Sequence, residues 1–287
     1  MEFNTDEYIT TRTQGIASSG LVDQYSDGKA ANVWEIYIGQ TGKRTSLYKN
    51  FLVNLLREKN CKNVLDVACG TGIDSVMLLE NNFAVVSSDA SDHMLKRAGD
   101  VRWRRRHENY FKDWDIQNMD WLNLKERLVR PAGIEQFDAL ICMGNSFAHL
   151  ENDKDQQREA MKNFYHMIKP GGILIVDHRN FDRIIEIGKA PMNNIYYNCE
   201  YNIDIKTIIV YYEAEPAMVL LDYNIDIPDK SIDGTFRLRY HPHKLRDFTK
   251  LLTDTFGENA PHDIFADFKP LNELQNPTHY IHVIQKL

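Results

Sequence analysis

Helical and strand-like apolar patterns alternate along residues 43–180. The first helical pattern begins at Lys43 and places apolar side chains in two adjacent rows, Leu47, Phe51 and Leu55 beside Tyr48, Leu52 and Leu56. A short apolar run at Val64–Val67 predicts a buried strand, and Val85–Asp89 predicts a second one. Ser91 then stands where it can cap the helix that follows.

The same alternation continues through the middle of the chain. Phe137–Met143 is another apolar run, and a helical pattern that reaches Ile168 stops at Lys169–Gly172. A strand is predicted directly afterwards, at Ile173–Val176. Strands that alternate with helices form a parallel sheet covered on both faces, so we expect an α/β fold.

The pattern changes after about residue 180. Three stretches rich in Ile, Val and Tyr follow, at 195–212, 217–227 and 235–240. Glu215-Pro216 and Asp233-Gly234 separate them, which is typical of antiparallel strands joined by turns. A helix from Lys244 to about Phe256 and a strand at Tyr280–Ile284 then return to the first pattern.

These changes divide the chain into four segments. We expect an N-terminal arm and helix (1–42), an α/β core (43–180), an antiparallel insertion that can cover a site (181–243), and a C-terminal helix and strand that complete the core (244–287).

Composition narrows the functional classes. The 287 residues carry 34 Lys and Arg against 41 Asp and Glu, a formal net charge of −7. A nucleic-acid-binding surface needs a basic surplus, so we expect no nucleic-acid partner. The basic run Arg102–His107 is better explained as a solvated helix end or a subunit contact. No apolar run approaches the ~20 residues of a membrane span, so we expect no membrane partner.

The N-terminus and the cysteines favour a cytoplasmic protein. Met1–Glu7 is polar and acidic, unlike a secretory or transit peptide. The four cysteines, Cys61, Cys69, Cys142 and Cys199, form no Cys-x-x-Cys pair. They therefore predict free thiols in a reducing compartment and no metal site.

Val64–Gly72 has the pattern of a strand, a tight glycine turn and a helix start, which opens a nucleoside site at the edge of a parallel sheet. Ser75 stands where a dinucleotide loop has its third glycine, and no lysine follows the glycines as in a P-loop. Asp66 and Asp74 flank the turn. Their charge repels phosphates but suits a ligand that carries an ammonium and a sulfonium, so S-adenosylmethionine fits better than NAD or ATP.

Two further acidic positions support a nucleoside ligand. Asp89 ends the second strand, where a carboxylate can accept hydrogen bonds from both ribose hydroxyls, although the cap of a helix is the alternative. Asp120 can receive the adenine amino group beside the aromatic wall of Trp121.

Motifs along most of the chain match those of one enzyme family. They are Asp23–Gly28, Val33–Gly39, Val64–Gly72, Met143–Leu150, Asp177–Phe181, Ile195–Tyr197 and Leu221–Tyr223. The chain resembles the glycine N-methyltransferases, and the last four motifs are specific to that family. The resemblance implies a Rossmann-like S-adenosylmethionine-dependent methyltransferase fold, with a largely parallel seven-stranded sheet and a small antiparallel insertion over the active site.

The resemblance also implies roles for individual residues. Those that contact S-adenosylmethionine are Tyr25, Trp34, Tyr37, Arg44, Ala68, Asp89, Asp120, Trp121, Met143 and Ser146. Those around glycine and the transferring methyl group are Asn145, Arg179, Tyr197, Tyr223 and Tyr240, with His149 joining the site.

The implied reaction is an in-line displacement that gives sarcosine and S-adenosylhomocysteine, in which the protein chiefly positions the reactants. Arg179 suits bidentate pairing with the glycine carboxylate, and the amide carbonyl of Asn145 can orient the amine. No residue stands out as the general base, because His149 is as well explained as a structural histidine.

Family members are homotetramers whose N-terminal arm enters a neighbouring active site, and animal members bind 5-methyltetrahydrofolate as an inhibitor. Two alternatives stay open. One is a glycine/sarcosine N-methyltransferase of betaine synthesis, and the other is a regulatory protein that binds S-adenosylmethionine or folate with little turnover.

Overall fold

The computed structural model describes residues 9–11, 33, 44–150, 154–192, 194–197, 201–229 and 233–287. The helices of these ranges are α1 (Ser46–Glu58), α2 (Ile73–Leu79), α3 (Asp92–Arg105), α4 (Leu124–Arg127), α5 (Lys154–Met167), α6 (Phe181–Ile187) and α7 (Leu245–Phe256). The strands are β1 (Ile9–Thr11), β2 (Asn63–Asp66), β3 (Ala84–Asp89), β4 (Asp115–Asn118), β5 (Phe137–Cys142), β6 (Ile168–Arg179), β7 (Ile203–Tyr212), β8 (Glu215–Ile225), β9 (Thr235–Tyr240), β10 (His262–Ala266), β11 (Lys269–Pro270) and β12 (His279–Gln285).

The central sheet has the order β11-β10-β12-β6-β5-β2-β3-β4. The strands from β6 to β4 run parallel, and β12 joins β6 in the antiparallel sense. The expected α/β fold is confirmed, and the two-residue β11 adds an eighth strand at the edge. β2 pairs with β3 on one side and with β5 on the other, so the order in which strands are added to the sheet reverses at β2. A crevice opens at the carboxyl ends of the strands at such a switch point.

The sheet separates two apolar cores because successive side chains of a strand point to opposite faces. Val64 of β2 packs into one core with α1, and Leu65 packs into the other with α5. Both residues are fully buried. Strands of this type are apolar on both faces, which is why the sequence shows them as continuous runs.

The second sheet is antiparallel, with the order β1-β7-β8-β9. Its hairpin turn is not at Glu215-Pro216, as expected, but at Glu213 and Ala214, which both adopt positive φ. Turns of this handedness match the twist of a hairpin but normally contain Asn or Gly, so the sequence carries no signal for this one. Glu215-Pro216 instead begins β8.

Two other elements differ from the sequence prediction. The strand β6 begins at Ile168 and not at Ile173, since the main chain of Gly171 and Gly172 bonds to Lys286 after β12. The strand β7 begins at Ile203, and Tyr197 forms an isolated bridge with Arg44 instead of belonging to it. Both differences come from partners that are remote in sequence.

The four-segment division stays a prediction. None of the helices within the described ranges is long and apolar enough to cross a membrane. Three of the four cysteines are free and buried, and Cys199 lies outside the described residues.

Helix α1 provides a matched test of packing. Leu52 is fully buried, whereas Leu47 on the same helix is 50% exposed. Leu52→Ala should lower the free energy of unfolding by about 2–5 kcal/mol because it leaves a cavity. Leu47→Ala should change it by less than about 1 kcal/mol. Urea denaturation of both variants measures the difference, and equal losses would mean that α1 presents a different face to the core.

Candidate active site

A cavity of about 690 Å³ opens at the carboxyl ends of β2, β3 and β5. It is lined by nine of the residues expected from the sequence: Arg44, Ala68, Asp89, Asp120, Trp121, Met143, Ser146, His149 and Tyr197. Four others are buried beside it, namely Asn145, Arg179, Tyr223 and Tyr240. The expected positions Tyr25, Trp34 and Tyr37 lie outside the described residues.

The glycine turn approaches an aromatic ring closely. Gly72 has φ +86°, and a Cβ atom there would lie 2.7 Å from the ring of Trp114. Both the left-handed backbone and the close approach require glycine. The residues that restrict this position, Trp114 just before β4 and Ala98 of α3, lie beyond the motif that predicted the turn.

A hydrogen-bonded chain lies behind this turn. The indole of Trp114 donates to Ser87 Oγ (2.7 Å), Ser87 and Ser75 are 2.7 Å apart, and Ser75 Oγ donates to Asp66 Oδ2 (2.7 Å). Because indole only donates and carboxylate only accepts, the Ser87 hydroxyl must donate to Ser75. Burial and the charge of Asp74 raise the pKa of Asp66 to about 7. Thus Ser75, in place of a third glycine, anchors α2.

Asp89 fixes the loops on both sides of the cavity. Its two carboxylate oxygens accept the main-chain N–H groups of Gly70 and Ser91, each at 2.9 Å. The N-cap of α3 is Ser91 and not Asp89, because Ser91 Oγ accepts from Met94 N. The main chain of Ala90 also bonds to this carboxylate, and of its four lone-pair sites one can still accept a hydroxyl. The helix-cap alternative therefore does not apply to Asp89.

Trp121 forms part of the cavity wall and is held from several sides. Its indole donates to the main-chain carbonyl of Val67 at 2.6 Å, and its ring stacks on Phe147. Asn163 donates to the carbonyl of Trp121 at 2.9 Å. Asp120 is exposed and accepts from Leu122 N. A flat aromatic surface with a carboxylate at its edge suits an adenine ring.

The loop after β5 is held by a residue that the sequence analysis did not select. Asp177 on β6 is fully buried, and its two oxygens lie 2.8 and 3.0 Å from the main-chain N–H of Asn145. Asn145 has φ +63°, a left-handed conformation that asparagine tolerates. The only signal in the sequence was the position of Asp177 within a recognised motif.

Asn145 and Arg179 are directly connected. The side-chain Oδ1 of Asn145 accepts the main-chain N–H of Arg179 at 2.9 Å, which fixes the amide orientation. The Nδ2 atom is buried and has no partner among the described residues. Asn145 thus offers an N–H donor and one remaining carbonyl lone pair, rather than a carbonyl alone.

Arg179 is 7% exposed, and its guanidinium donates to the hydroxyl of Tyr223 at 2.9 Å. Tyr223 in turn stacks on Phe236 with ring centroids 4.6 Å apart. Tyr240 packs against His149, at 4.8 Å between ring centroids. Two strands of the antiparallel sheet, β8 and β9, therefore supply aromatic side chains to the site.

Arg44 forms a bidentate ion pair with Asp74, with both N–O distances 2.7 Å. Its guanidinium also lies 4.9 Å from the ring centroid of Tyr197. Asp74 was expected to supply negative charge to the cavity, and the structure shows that this charge is paired with the positive charge of Arg44. Among the described residues, no cluster of three or more His, Cys, Asp or Glu side chains is arranged to hold a metal ion.

Comparison with known proteins agrees with this geometry. Residues 65–174 match a family described as a methyltransferase domain. A glycine N-methyltransferase of Oryctolagus cuniculus is 46% identical and aligns with 98% of this chain and 99% of its own. The chain belongs to the glycine N-methyltransferase family. A glycine/sarcosine N-methyltransferase of Halorhodospira halochloris is 32% identical over 92% of this chain and 89% of its own.

The fold is shared more widely than the family. An S-adenosylmethionine-dependent methyltransferase from Clostridium acetobutylicum superposes with a TM-score of 0.65 at 18% identity, covering 90% of this chain and 98% of the other. At that identity the likeness concerns the fold alone, so the specificity of the chain has to come from its own side chains.

Asp89 and Asp138 make a matched pair for a binding test. Each accepts main-chain N–H groups, but Asp138 bonds to Lys62 and Asn63 at the opposite end of the sheet. Asp89→Ala should weaken S-adenosylmethionine binding by about 10- to 100-fold, since hydrogen bonds to a charged acceptor are lost. Asp138→Ala should lower stability and leave that affinity within twofold. Calorimetric titration measures both, and equal affinities would exclude a ligand contact at Asp89.

Proposed function

We propose that the protein transfers the methyl group of S-adenosylmethionine to the amine of glycine, giving sarcosine and S-adenosylhomocysteine. The chain belongs to a family of S-adenosylmethionine-dependent N-methyltransferases, and S-adenosylmethionine is the methyl donor. The observation that carries the choice of glycine is the buried pair of Asn145 and Arg179 beside the cavity. A small amino acid is the substrate that such a pair accommodates.

The charges around the cavity fit the methyl donor. Asp89, Asp92 and Asp120 line the cavity, and Arg44 is already paired with Asp74. A ligand with a sulfonium and an ammonium supplies the missing positive charge. The free lone pair of Asp89 and the ring of Trp121 provide for ribose and adenine, respectively.

Arg179 is the residue that binds the carboxylate of glycine, the methyl acceptor. A guanidinium presents parallel N–H donors that match a carboxylate, and burial strengthens the resulting pair. Tyr223 holds one of its nitrogens, which limits the orientations of the guanidinium. The Nδ2 group of Asn145 can donate to the same carboxylate, while Oδ1 keeps one lone pair for the amine.

The chemistry itself requires alignment more than acid–base catalysis. When bound, S-adenosylmethionine supplies a methyl group on a positively charged sulfur. The protein binds the glycine carboxylate, orients the amine and excludes water, so that donor and acceptor meet in line. His149 lines the cavity and packs on Tyr240, and we assign no proton transfer to it.

Three finer expectations are proposals that rest on the family resemblance. We propose a homotetramer in which the N-terminal arm reaches a neighbouring active site, inhibition by 5-methyltetrahydrofolate, and a cytoplasmic location. The arm, residues 1–42, lies almost wholly outside the described residues.

Transfer of labelled methyl from S-adenosylmethionine tests the proposed activity directly. Glycine, sarcosine and a control without amine are compared in parallel. We expect label in sarcosine with little further methylation. Efficient conversion of sarcosine would replace the proposal with a glycine/sarcosine N-methyltransferase. Binding of S-adenosylmethionine without transfer to either amine would leave a regulatory binding protein.

Replacement of Arg179 by lysine tests the carboxylate clamp. Arg179→Lys keeps the charge but loses bidentate geometry, so kcat/KM for glycine should fall by about 100-fold with S-adenosylmethionine affinity unchanged. Arg237→Lys is the matched control, because Arg237 makes an ion pair with Asp222 within the antiparallel sheet. The turnover of Arg237→Lys should stay within twofold of that of the parent. An equal loss of S-adenosylmethionine affinity in Arg179→Lys would reassign Arg179 to the methyl donor.

A further inference from the structure

The carboxylate of Asp177 has a second donor besides the main-chain N–H of Asn145, which its two oxygens share. The hydroxyl of Tyr196 donates to Asp177 Oδ2 at 2.5 Å, and both residues are buried. A hydrogen bond from an O–H group to a carboxylate is short and strong when both groups are removed from water. Asp177 thereby links Tyr196 to the loop that carries Asn145.

Tyr196 is itself fixed by the start of α1 and by surrounding rings. Its carbonyl accepts Thr45 N at 2.8 Å, and Thr45 Oγ1 donates to the carbonyl of Ile195. The tyrosine ring lies edge-to-face against Tyr48, with centroids 4.9 Å apart, and against Phe268 at 5.4 Å. The hydroxyl is therefore held at a fixed point rather than free to follow Asp177.

We propose that Tyr196 is a positioning residue, which acts through Asp177 to hold Asn145 in the conformation that methyl transfer to glycine requires. This inference rests on the proposed function. A left-handed residue such as Asn145 returns to ordinary backbone geometry unless its surroundings hold it. Asn145 also carries the amide that bonds Arg179, so a displaced loop would misplace both groups that face the substrate.

The coupling requires an ionised Asp177. Burial raises the pKa of Asp177 to about 6, while the hydrogen bond from Tyr196 and the contacts with Asn145 and Arg179 oppose the rise. Asp74 from α2 adds to it. The other titratable groups facing Asp177 are Tyr48 of α1 and Cys142 of β5, and its partner across β12 is the apolar Ile281.

Loss of the phenol donor should raise the pKa of Asp177 further, because a hydrogen bond to the charged form stabilises that form. Protonation of Asp177 then removes a carboxylate oxygen that accepts the main-chain N–H of Asn145. The loss of activity at low pH should therefore begin at a higher pH in a variant without the hydroxyl. Ionisation of the glycine amine affects variant and parent equally, so it cancels in the ratio of their rates.

Tyr196→Phe and Tyr48→Phe form a matched pair for the test. Both rings are buried and in contact, but the Tyr48 hydroxyl has no hydrogen-bond partner among the described residues. At pH 8 with saturating S-adenosylmethionine, Tyr196→Phe should lower kcat for glycine about tenfold. At pH values below about 7, the rate of Tyr196→Phe relative to the parent should decrease further. Its affinity for S-adenosylmethionine should stay within twofold of the parent's. The rate of Tyr48→Phe should stay within twofold of the parent's rate, and the ratio of the two rates should not change with pH.

A second measurement does not depend on turnover. Amide hydrogen exchange at Asn145, followed by NMR, should become at least tenfold faster in Tyr196→Phe and stay unchanged in Tyr48→Phe. If the two variants agree in exchange and in pH dependence, the inference is wrong even when the parent methylates glycine. If the parent transfers no methyl to glycine, the proposed function fails, and the exchange data alone decide whether Tyr196 positions Asn145.

Discussion

Carboxylates placed at the carboxyl ends of parallel strands, and the donors that must surround them, determine the shape of this site. A carboxylate that leaves water loses its hydration, and hydrogen bonds from the protein have to replace it. Asp66, Asp89 and Asp177 stand near the ends of β2, β3 and β6, and all of them accept bonds from loops or neighbouring elements. The loops that line the cavity are therefore folded around these acids.

Acids also give the cavity its electrostatic preference, because Asp74, Asp89, Asp92 and Asp120 are among its lining residues. They attract a cationic sulfonium more strongly than a neutral thioether, because only the former carries charge at the sulfur. Methyl transfer converts the first into the second, so the attraction weakens when the product forms.

The sequence predicted the parts of the fold whose causes are local. The rows of Leu52 and Leu56 marked α1, and the run Val64–Gly72 marked the turn at the switch point. It did not predict β10 and β11, which are short strands at the sheet edge whose side chains, apart from Ala266, are half-buried or exposed. The hairpin turn at Glu213 and Ala214 was also missed, because its residues are not those that the turn type prefers.

For the site, the sequence identified residue types but not their partners. Asp89 was recognised as a candidate ribose ligand with a helix cap as the alternative, and the coordinates confirm the predicted Ser91 as the cap. Asp177 and Asn145 are 32 positions apart, and no spacing rule connects them. The carbonyl of Asn145 was expected to orient the amine, and only the coordinates show that it also accepts a hydrogen bond from the main-chain N–H of Arg179. Contacts of this kind follow from the register of β5 against β6, which periodicity does not specify.

Direct contacts between the two sheets explain how they can share one site. The antiparallel sheet brings Tyr223 and Tyr240 towards the cavity, while the central sheet carries Asn145 and Arg179. Two elements that approach from different parts of the chain need a fixed point between them, because a displacement of about 1 Å is enough to spoil an in-line reaction. Two hydrogen bonds supply that point: Arg179 of β6 donates to the hydroxyl of Tyr223 on β8, and the main-chain N–H of His241, just after β9, donates to the carbonyl of Ala148. The geometry of the reacting groups is therefore set where the two sheets meet, and the core sheet alone does not determine it.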